Sequence, residues 1–374
     1  MKMNKLKVLT IVGTRPEIIR LSRVISRLDD YFDHTLAHTG QNYDYELNEI
    51  FYEDLGINPP DFIMECSGNN SIETIGNVLI KTNELLEIVN PDAVLILGDT
   101  NSCMSVLAAK RKKIPTFHME AGNRCFDQRV PEEINRKIVD HVADINLTYS
   151  DYATQNLINE GLHKDRIIKI GSPLLEVFEE NKNQIEKSDI LKKLKLQKGG
   201  FILASIHREE NLEDEKNLNE IFKSFIYFIN KFKLPIIFST HPRTKKRISK
   251  IKKVNSNKII FSKPFGYFEF IKLMKNSKFI LSDSGSISEE TSILSLPSVN
   301  IRNVNERQES MEIGTVIMSG LKKSNIINSV EIMLKKRNRK KLVYPDYSFT
   351  DVSSTVVNIL QSYTHYIMSK TWYK

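Results

Sequence analysis

The sequence predicts an α/β chain made of two doubly wound parallel sheets in tandem. Three observations carry that expectation. Short β-branched apolar runs alternate with helical patterns along the chain, each run ends in Gly, Ser, Asp or His, and a lysine-rich helical stretch separates two such series. A length of 374 residues suits two or three domains, and 40% hydrophobic with 27% charged residues is the composition of an ordinary folded chain.

The first series runs Lys7 to Gly13, His34 to Gly40, Ala93 to Asp99, Pro115 to Gly122, Ile145 to Ser150 and Ile167 to Ser172. The second runs Phe201 to Ile206, Pro235 to His241, Lys258 to Ser262, Lys278 to Ser284, Ser298 to Arg302 and Thr315 to Gly320. A Pro-led helix after Ser172 marks the expected boundary: residues 1–172 form the first domain and 173–350 the second. A last helix within 351–374 follows the irregular YPDYSFTD segment and is expected to pack back on the first domain. Ligands of open α/β sheets bind at the carboxyl ends of the strands, so a cleft between the two sheets is the expected site.

Several function classes are disfavoured by composition. The net charge of +8 is mostly lysine, and its densest cluster, Lys335 to Lys341, has no interleaved aromatics and no nucleic-acid motif beside it, so it reads as a solvated helix end. Cys66, Cys103 and Cys125 are too scattered for a disulfide framework or a thiolate metal site, which fits a cytoplasmic protein. The basic, apolar N-terminus is too short for a signal peptide and is interrupted by Arg15 and Glu17, and no run is long enough to span a membrane.

Four strand ends carry candidate chemistry. GTRPEIIRL, Gly13 to Leu21, joins a tight turn, a helix N-terminus and the cations Arg15 and Arg20, a combination suited to a diphosphate or, at its plainest, a capped turn with two surface arginines. It is not GxGxxG, so NAD is not indicated. GDTNS places Asp99 after the apolar run AVLIL, where restricted solvation can tune a carboxylate. One strand later HMEAGNRCFDQRVPEEINR supplies Glu120, a loop with Arg124, Asp127 and Arg129, and a helix opened by Pro131, Glu132 and Glu133. Asp99, Glu120 and Glu132 read as acid/base candidates. Glu133 reads as a helix-dipole partner paired with Lys137 at i+4. In the second half SIHREEN offers His207 and Arg208 for phosphate or proton transfer, and THPRT, Thr240 to Thr244, repeats the pattern. SDSGSISEE then opens a helix with Ser284, Gly285 and Ser286, whose N–H groups can cradle phosphate, while Glu290 one turn later suits ribose hydroxyls. NERQES adds Glu306 and Arg307 nearby.

In this order GTRPE, GDT, HMEAG, PEExNR, HREEN, DSGxxxEE and ER closely resemble the non-hydrolysing UDP-N-acetylglucosamine 2-epimerase family, from Lys7 to about Gly320. The resemblance implies a GT-B architecture of two Rossmann-like domains, with nucleotide held mainly by the second, sugar between them, and a homodimer. It also implies a UDP-sugar epimerase in which His207 joins the catalytic set and Arg15, Arg20, Arg124, Ser284, Gly285, Ser286, Glu290 and Arg307 bind UDP and sugar. The chain departs from the family at Arg20, where lysine is usual, at Gln308 within the ERPE-like segment, and in the loop NRCFDQRVPEE. That loop is similar to the capsule and O-antigen branch that makes UDP-N-acetyl-L-fucosamine from UDP-2-acetamido-2,6-dideoxy-L-talose. Neither a metal nor a redox cofactor is expected, and no nucleic-acid or membrane partner. A general UDP-N-acetylglucosamine 2-epimerase, a GT-B glycosyltransferase and a nucleotide-sugar sensor are the alternatives.

Overall fold

The structure is a computed structural model that describes residues 5–41, 52–206, 208, 211, 214–240, 257–335 and 343–374. His207, residues 241–244 of the THPRT segment and most of the basic cluster, 336–341, lie outside the described residues. Two compact units are present, one of Met1–Glu180 with Pro345–Lys374 and one of Asn181–Tyr344.

The first unit holds a seven-stranded sheet of Lys7–Val12 (β1), Asp33–His38 (β2), Phe62–Ile63 (β3), Ala93–Leu97 (β4), Thr116–Ala121 (β5), Ile145–Thr148 (β6) and Ile167–Lys169 (β7). Its order is β3-β2-β1-β4-β5-β6-β7 and every neighbouring pair is parallel. β4 is buried at all of its residues, as a strand covered on both faces must be, which is why AVLIL shows no alternation. The helix Arg15–Tyr31 starts after Thr14 in extended backbone with Pro16 in its first turn, and buries Ile18, Leu21, Val24, Ile25 and Leu28 at helical spacing.

Two further helices, Leu174–Glu180 and Val352–Thr371, pack on Arg15–Tyr31. The division between the units therefore falls after Glu180, eight residues beyond the expected Ser172, because the Pro-led helix buries its apolar face in the first unit. The returning chain is fastened by Asp346: its carboxylate accepts the Asp151 N–H at 3.0 Å and Lys169 Nζ at 2.8 Å, and its carbonyl accepts the Ser172 N–H at 3.1 Å.

The second unit holds Ile202–Ser205 (β8), Ile236–Ser239 (β9), Ile259–Ser262 (β10), Ile280–Ser282 (β11), Ser298–Asn300 (β12) and Val316–Met318 (β13), ordered β10-β9-β8-β11-β12-β13 and again all parallel. Phe225 and Phe228 of the helix Glu215–Phe232 meet Phe238 and Phe279 edge to face, with centroids 5.7 and 5.3 Å apart, so aromatic packing fills this core. In each sheet the strand order reverses once, between β1 and β4 and between β8 and β11. These switch points are where a doubly wound sheet opens a crevice for ligand.

Candidate active site

At the first switch point the chain leaves β4 through Gly98, whose φ of +77° only glycine adopts freely, and presents Asp99. Oδ2 of Asp99 receives Nε and Nη2 of Arg136, each at 2.7 Å, and its carbonyl accepts Nδ2 of Asn135 at 2.8 Å. Both donors lie on the helix Pro131–Val142, which also carries Glu132 in its first turn. One helix thus fixes the Asp99 carboxylate and delivers Glu132, which is half-buried. Two guanidinium nitrogens converging on one oxygen pin the position of that oxygen.

The remaining nitrogen of Arg136, Nη1, holds Glu133 at 2.7 Å. Glu133 is fully buried and accepts the N–H groups of Cys125 and Phe126, each at 3.0 Å. The expected pair with Lys137 is therefore replaced by one with Arg136, because a buried carboxylate needs the partner whose fork can reach it, and Glu133 anchors the loop that follows Glu120.

Glu120 sits where β5 loses register against β6, between Met119 and Ala121, and has a φ of +67°. A non-glycine residue pays about 1 to 3 kcal/mol for such a conformation, and strain of that kind gathers at functional sites. Arg20 Nε lies 3.4 Å from Glu120 Oε2, and the Arg20 guanidinium lies 6.0 Å from the centre of the Tyr149 ring. Arg20, read from sequence as a diphosphate ligand, is buried against Glu120. Gly122 is obligatory here, since a Cβ on it would lie 2.2 Å from the Ala153 carbonyl oxygen.

Arg124, expected at the ligand, is enclosed by protein groups. It is 0% exposed, with Nη1 at 2.7 Å from Asp140 and Nε and Nη2 each at 2.7 Å from the Glu160 carboxylate. Nη1 also reaches the Asn123 carbonyl at 2.8 Å, so every nitrogen of this guanidinium is engaged by protein, as in a structural cation. Asp140 also faces His118 Nδ1 at 2.9 Å and accepts the Gly122 N–H at 3.2 Å, while His118 Nε2 donates to the Gly98 carbonyl at 2.8 Å. Burial pushes the Asp140 carboxyl up, but His118 and Arg124 outweigh it and hold the group below the usual range. This cluster ties the turn before Asp99 to the loop after Glu120.

Sequence reading passed over Glu17 and His38. Glu17 is 2% exposed and accepts hydrogen bonds from Gly13 N–H (2.7 Å), Thr14 Oγ1 (2.8 Å), Thr100 Oγ1 (2.7 Å) and Ser102 Oγ (2.9 Å). Burial nevertheless pushes its carboxyl up to about 7. His38, whose Nδ1 accepts the Gly40 N–H at 3.0 Å, is lowered by burial to about 4. The contribution of Glu17 to stability is fully present below its ordinary 4.5 and lost as pH rises to about 7; that of His38 is present above its ordinary 6.5 and lost as pH falls to about 4. The two slopes have opposite signs and oppose each other where their windows overlap, between pH 4.5 and 6.5. Glu17→Gln is expected to gain on the order of 3 kcal/mol relative to wild type between pH 4.5 and 7.5, and His38→Asn a similar amount as pH falls from 6.5 to 4, in urea unfolding. A pH-independent difference between wild type and Glu17→Gln would rule this out.

In the second unit, Asp283 follows β11 and accepts the Arg208 N–H at 3.0 Å and Nδ2 of Asn211 at 2.9 Å, holding the segment after β8 to the turn after β11. Ser284 and Ser286 bond through their hydroxyls at 3.0 Å ahead of the helix Ile287–Ile293, which carries Glu290. A Cβ on Gly285 would lie 1.9 Å from Glu306 Oε1, so the turn and the NERQ segment are in close contact. Arg302 Nη1 lies 2.8 Å from Glu306 Oε2, and Arg208 Nη2 3.8 Å from Oε1. Arg307, expected at the ligand, is buried with Nη1 2.9 Å from the buried Glu289. It braces the helix that carries Glu290. Among the described residues no group of three or more His, Cys, Asp or Glu is placed to hold a metal, and no helix is long and apolar enough to cross a membrane.

Comparison with known proteins places these residues in context. The family model for UDP-N-acetylglucosamine 2-epimerase matches residues 26–361. A UDP-N-acetylglucosamine 2-epimerase of Methanocaldococcus jannaschii is 36% identical over 90% of this chain and 94% of its own. A UDP-2,3-diacetamido-2,3-dideoxy-D-glucuronate 2-epimerase of Pseudomonas aeruginosa is 32% identical over 88% and 93%. The structure of UDP-N-acetylglucosamine 2-epimerase from Rickettsia bellii superposes with a TM-score of 0.93 at 47% identity, covering 99% of this chain and 100% of that one. The M. jannaschii enzyme in complex with UDP-GlcNAc and UDP gives 0.88 at 34%, covering 95% and 99%. The two-unit α/β architecture of the GT-B kind, expected from the sequence, is shown by these likenesses.

Proposed function

Because the chain belongs to the UDP-N-acetylglucosamine 2-epimerase family, we propose that it inverts C2 of a UDP-linked 2-acetamido sugar, and that its preferred reaction converts UDP-2-acetamido-2,6-dideoxy-L-talose to UDP-N-acetyl-L-fucosamine. The C2 proton of such a sugar has no neighbouring carbonyl to acidify it. Expelling UDP from C1 while a base removes the proton at C2 gives a 2-acetamidoglycal and UDP; protonation of C2 on the other face and return of UDP to C1 complete the inversion. Every atom is conserved, and the sequence of steps calls for acid/base groups and a diphosphate clamp.

Asp99, Glu120 and Glu132 are the acid/base groups in this reading. Arg15 at the first turn and Ser284, Gly285 and Ser286 at the second-unit turn bind diphosphate, and Glu290 binds ribose. His207 completes the clamp.

Preference for the 6-deoxy sugar is supported by the loop between Glu120 and Glu132, where the chain departs most from the common pattern. Within it Phe126 is 65% exposed, an apolar group available to a C6 methyl, while Asp127 and Arg129 satisfy each other at 2.6 Å. UDP-N-acetylglucosamine as substrate is the second reading, supported by the relatives at 36% and 47% identity, both named UDP-N-acetylglucosamine 2-epimerases.

Incubation of the protein with each UDP-sugar alone in heavy water tests both levels. Deuterium is expected at C2 of the product without any acceptor. Retention of the original hydrogen would exclude elimination, and no change of the sugar would exclude an epimerase. A site fitted to a methyl rejects a hydroxyl by only about a hundredfold, so the substrate question turns on the ratio of kcat/KM values. Equal or better efficiency with UDP-N-acetylglucosamine would assign the chain to the second reading.

A further inference from the structure

We propose that Glu17 is a positioning residue of the epimerase site: its carboxylate locks the Gly13–Arg15 turn to the Thr100–Ser102 turn and thereby fixes Arg15 and Asp99 relative to each other across the first switch point.

The hydrogen bonds divide evenly. Oε1 accepts from Thr14 of one turn and Thr100 of the other, and Oε2 from Gly13 of one turn and Ser102 of the other. Glu17 is 83 and 85 residues from Thr100 and Ser102 in sequence, and its side chain joins the two turns. Thr100 Oγ1 also lies 2.9 Å from Ser102 Oγ and receives Gln41 Nε2 at 3.1 Å; each hydroxyl has one proton, so while both donate to the carboxylate the Thr100–Ser102 contact carries no hydrogen bond of its own. An ionised carboxylate accepts on both sides with all four donors as they stand; an amide would aim its N–H groups at the Thr14 and Thr100 hydroxyls, which would have to turn and accept.

An apolar contact could join two turns without the cost of burying a charge. The carboxylate adds direction: Arg15 lies two residues before Glu17, Asp99 one residue before Thr100, and a loosened turn on either side changes where those groups stand. A displacement of about an ångström in a reacting group can lower turnover by about a hundredfold.

The groups bonded to Glu17 are hydroxyls and one main-chain N–H; its charge is felt by Cys103, whose thiol is pushed up by burial and by the charges of Asp99, Glu17 and Asp140, and so stays neutral. Protonation of Glu17 turns one acceptor position into a donor, so one of the three hydroxyls around it must rotate to accept.

The inference rests on the reading of Arg15 and Asp99 as reaction groups. Its test is steady-state epimerisation by Glu17→Gln between pH 5 and 9, with whichever UDP-N-acetyl sugar the wild type turns over, alongside thermal unfolding. We expect kcat to fall at least tenfold with KM within about threefold, and the acid limb of the wild-type kcat profile that belongs to Glu17 to vanish. Ser102→Ala, which leaves the carboxylate one donor short, should move that limb to higher pH; it carries the test where Glu17→Gln does not fold. A cooperatively folding Glu17→Gln with wild-type kcat and pH profile, or an unmoved limb in Ser102→Ala, would overturn the proposal. Asp99→Asn in the same assay separates the two levels: normal turnover there sinks the assignment of Asp99, whereas normal turnover in Glu17→Gln beside an inactive Asp99→Asn sinks the role of Glu17 alone.

Discussion

Asp99→Asn is expected to lower kcat about a hundredfold or more, the usual scale for a lost acid/base group, while UDP affinity changes little. The physical case rests on the Arg136 fork. An arginine that contacts one carboxylate oxygen through two nitrogens, while Asn135 holds the carbonyl of the same residue, leaves the other oxygen, Oδ1, free of that fork. Asparagine keeps the shape but cannot take a proton at neutral pH.

Arg136→Lys separates chemistry from orientation: the charge stays and the fork is lost. It should cost kcat roughly tenfold with little change in KM, an intermediate effect. Glu120→Gln should resemble Asp99→Asn in rate, and its strained backbone remains because the register break and not the side chain imposes it. Calorimetric UDP binding together with rates on the three variants decides the matter. Near-normal turnover in both carboxylate variants would return Asp99 and Glu120 to a structural role.

The parts of this arrangement that could be read from sequence are those written in neighbouring residues. AVLIL followed by Gly-Asp, and FHMEAG with its acid two residues before glycine, announce strand ends because apolar runs must stop where the chain meets polar surroundings. Phe62–Ile63 was illegible as a strand, since a two-residue edge strand has no period to detect. The site was half legible for a similar reason. A strand-end carboxylate is a local fact, but what holds it is not: Arg136 lies 37 residues from Asp99, and Glu17 reaches Thr100 across 83. The carboxylates beside Arg124 and Arg307 were illegible because an arginine beside a glycine-rich loop looks the same whether its partner is a phosphate or a carboxylate brought in by the fold.

Arg124 and Asp140 give the largest expected effect on stability. Both are fully buried and paired at 2.7 Å. Removing one partner of such a pair strands the other in a dry interior, which costs about 3 to 5 kcal/mol. Asp140→Leu should reach the upper end, because it also leaves the Gly122 N–H and His118 Nδ1 without their acceptor. Arg124→Met should lie at the lower end: Glu160 is partly exposed and can rehydrate, and Asp140 keeps two donors. The double variant should recover part of the loss, because neither charge remains to be satisfied. Since Asp140 is held below its ordinary 3.8, its contribution is present above that pH and lost as pH falls through its folded value; without Arg124 the loss should begin at higher pH. Urea unfolding of the three variants at neutral and acid pH measures each term. If Arg124→Met unfolds within about 0.5 kcal/mol of wild type, the scale of an ordinary surface change, and instead binds UDP-sugar more weakly, the guanidinium belongs to the ligand after all.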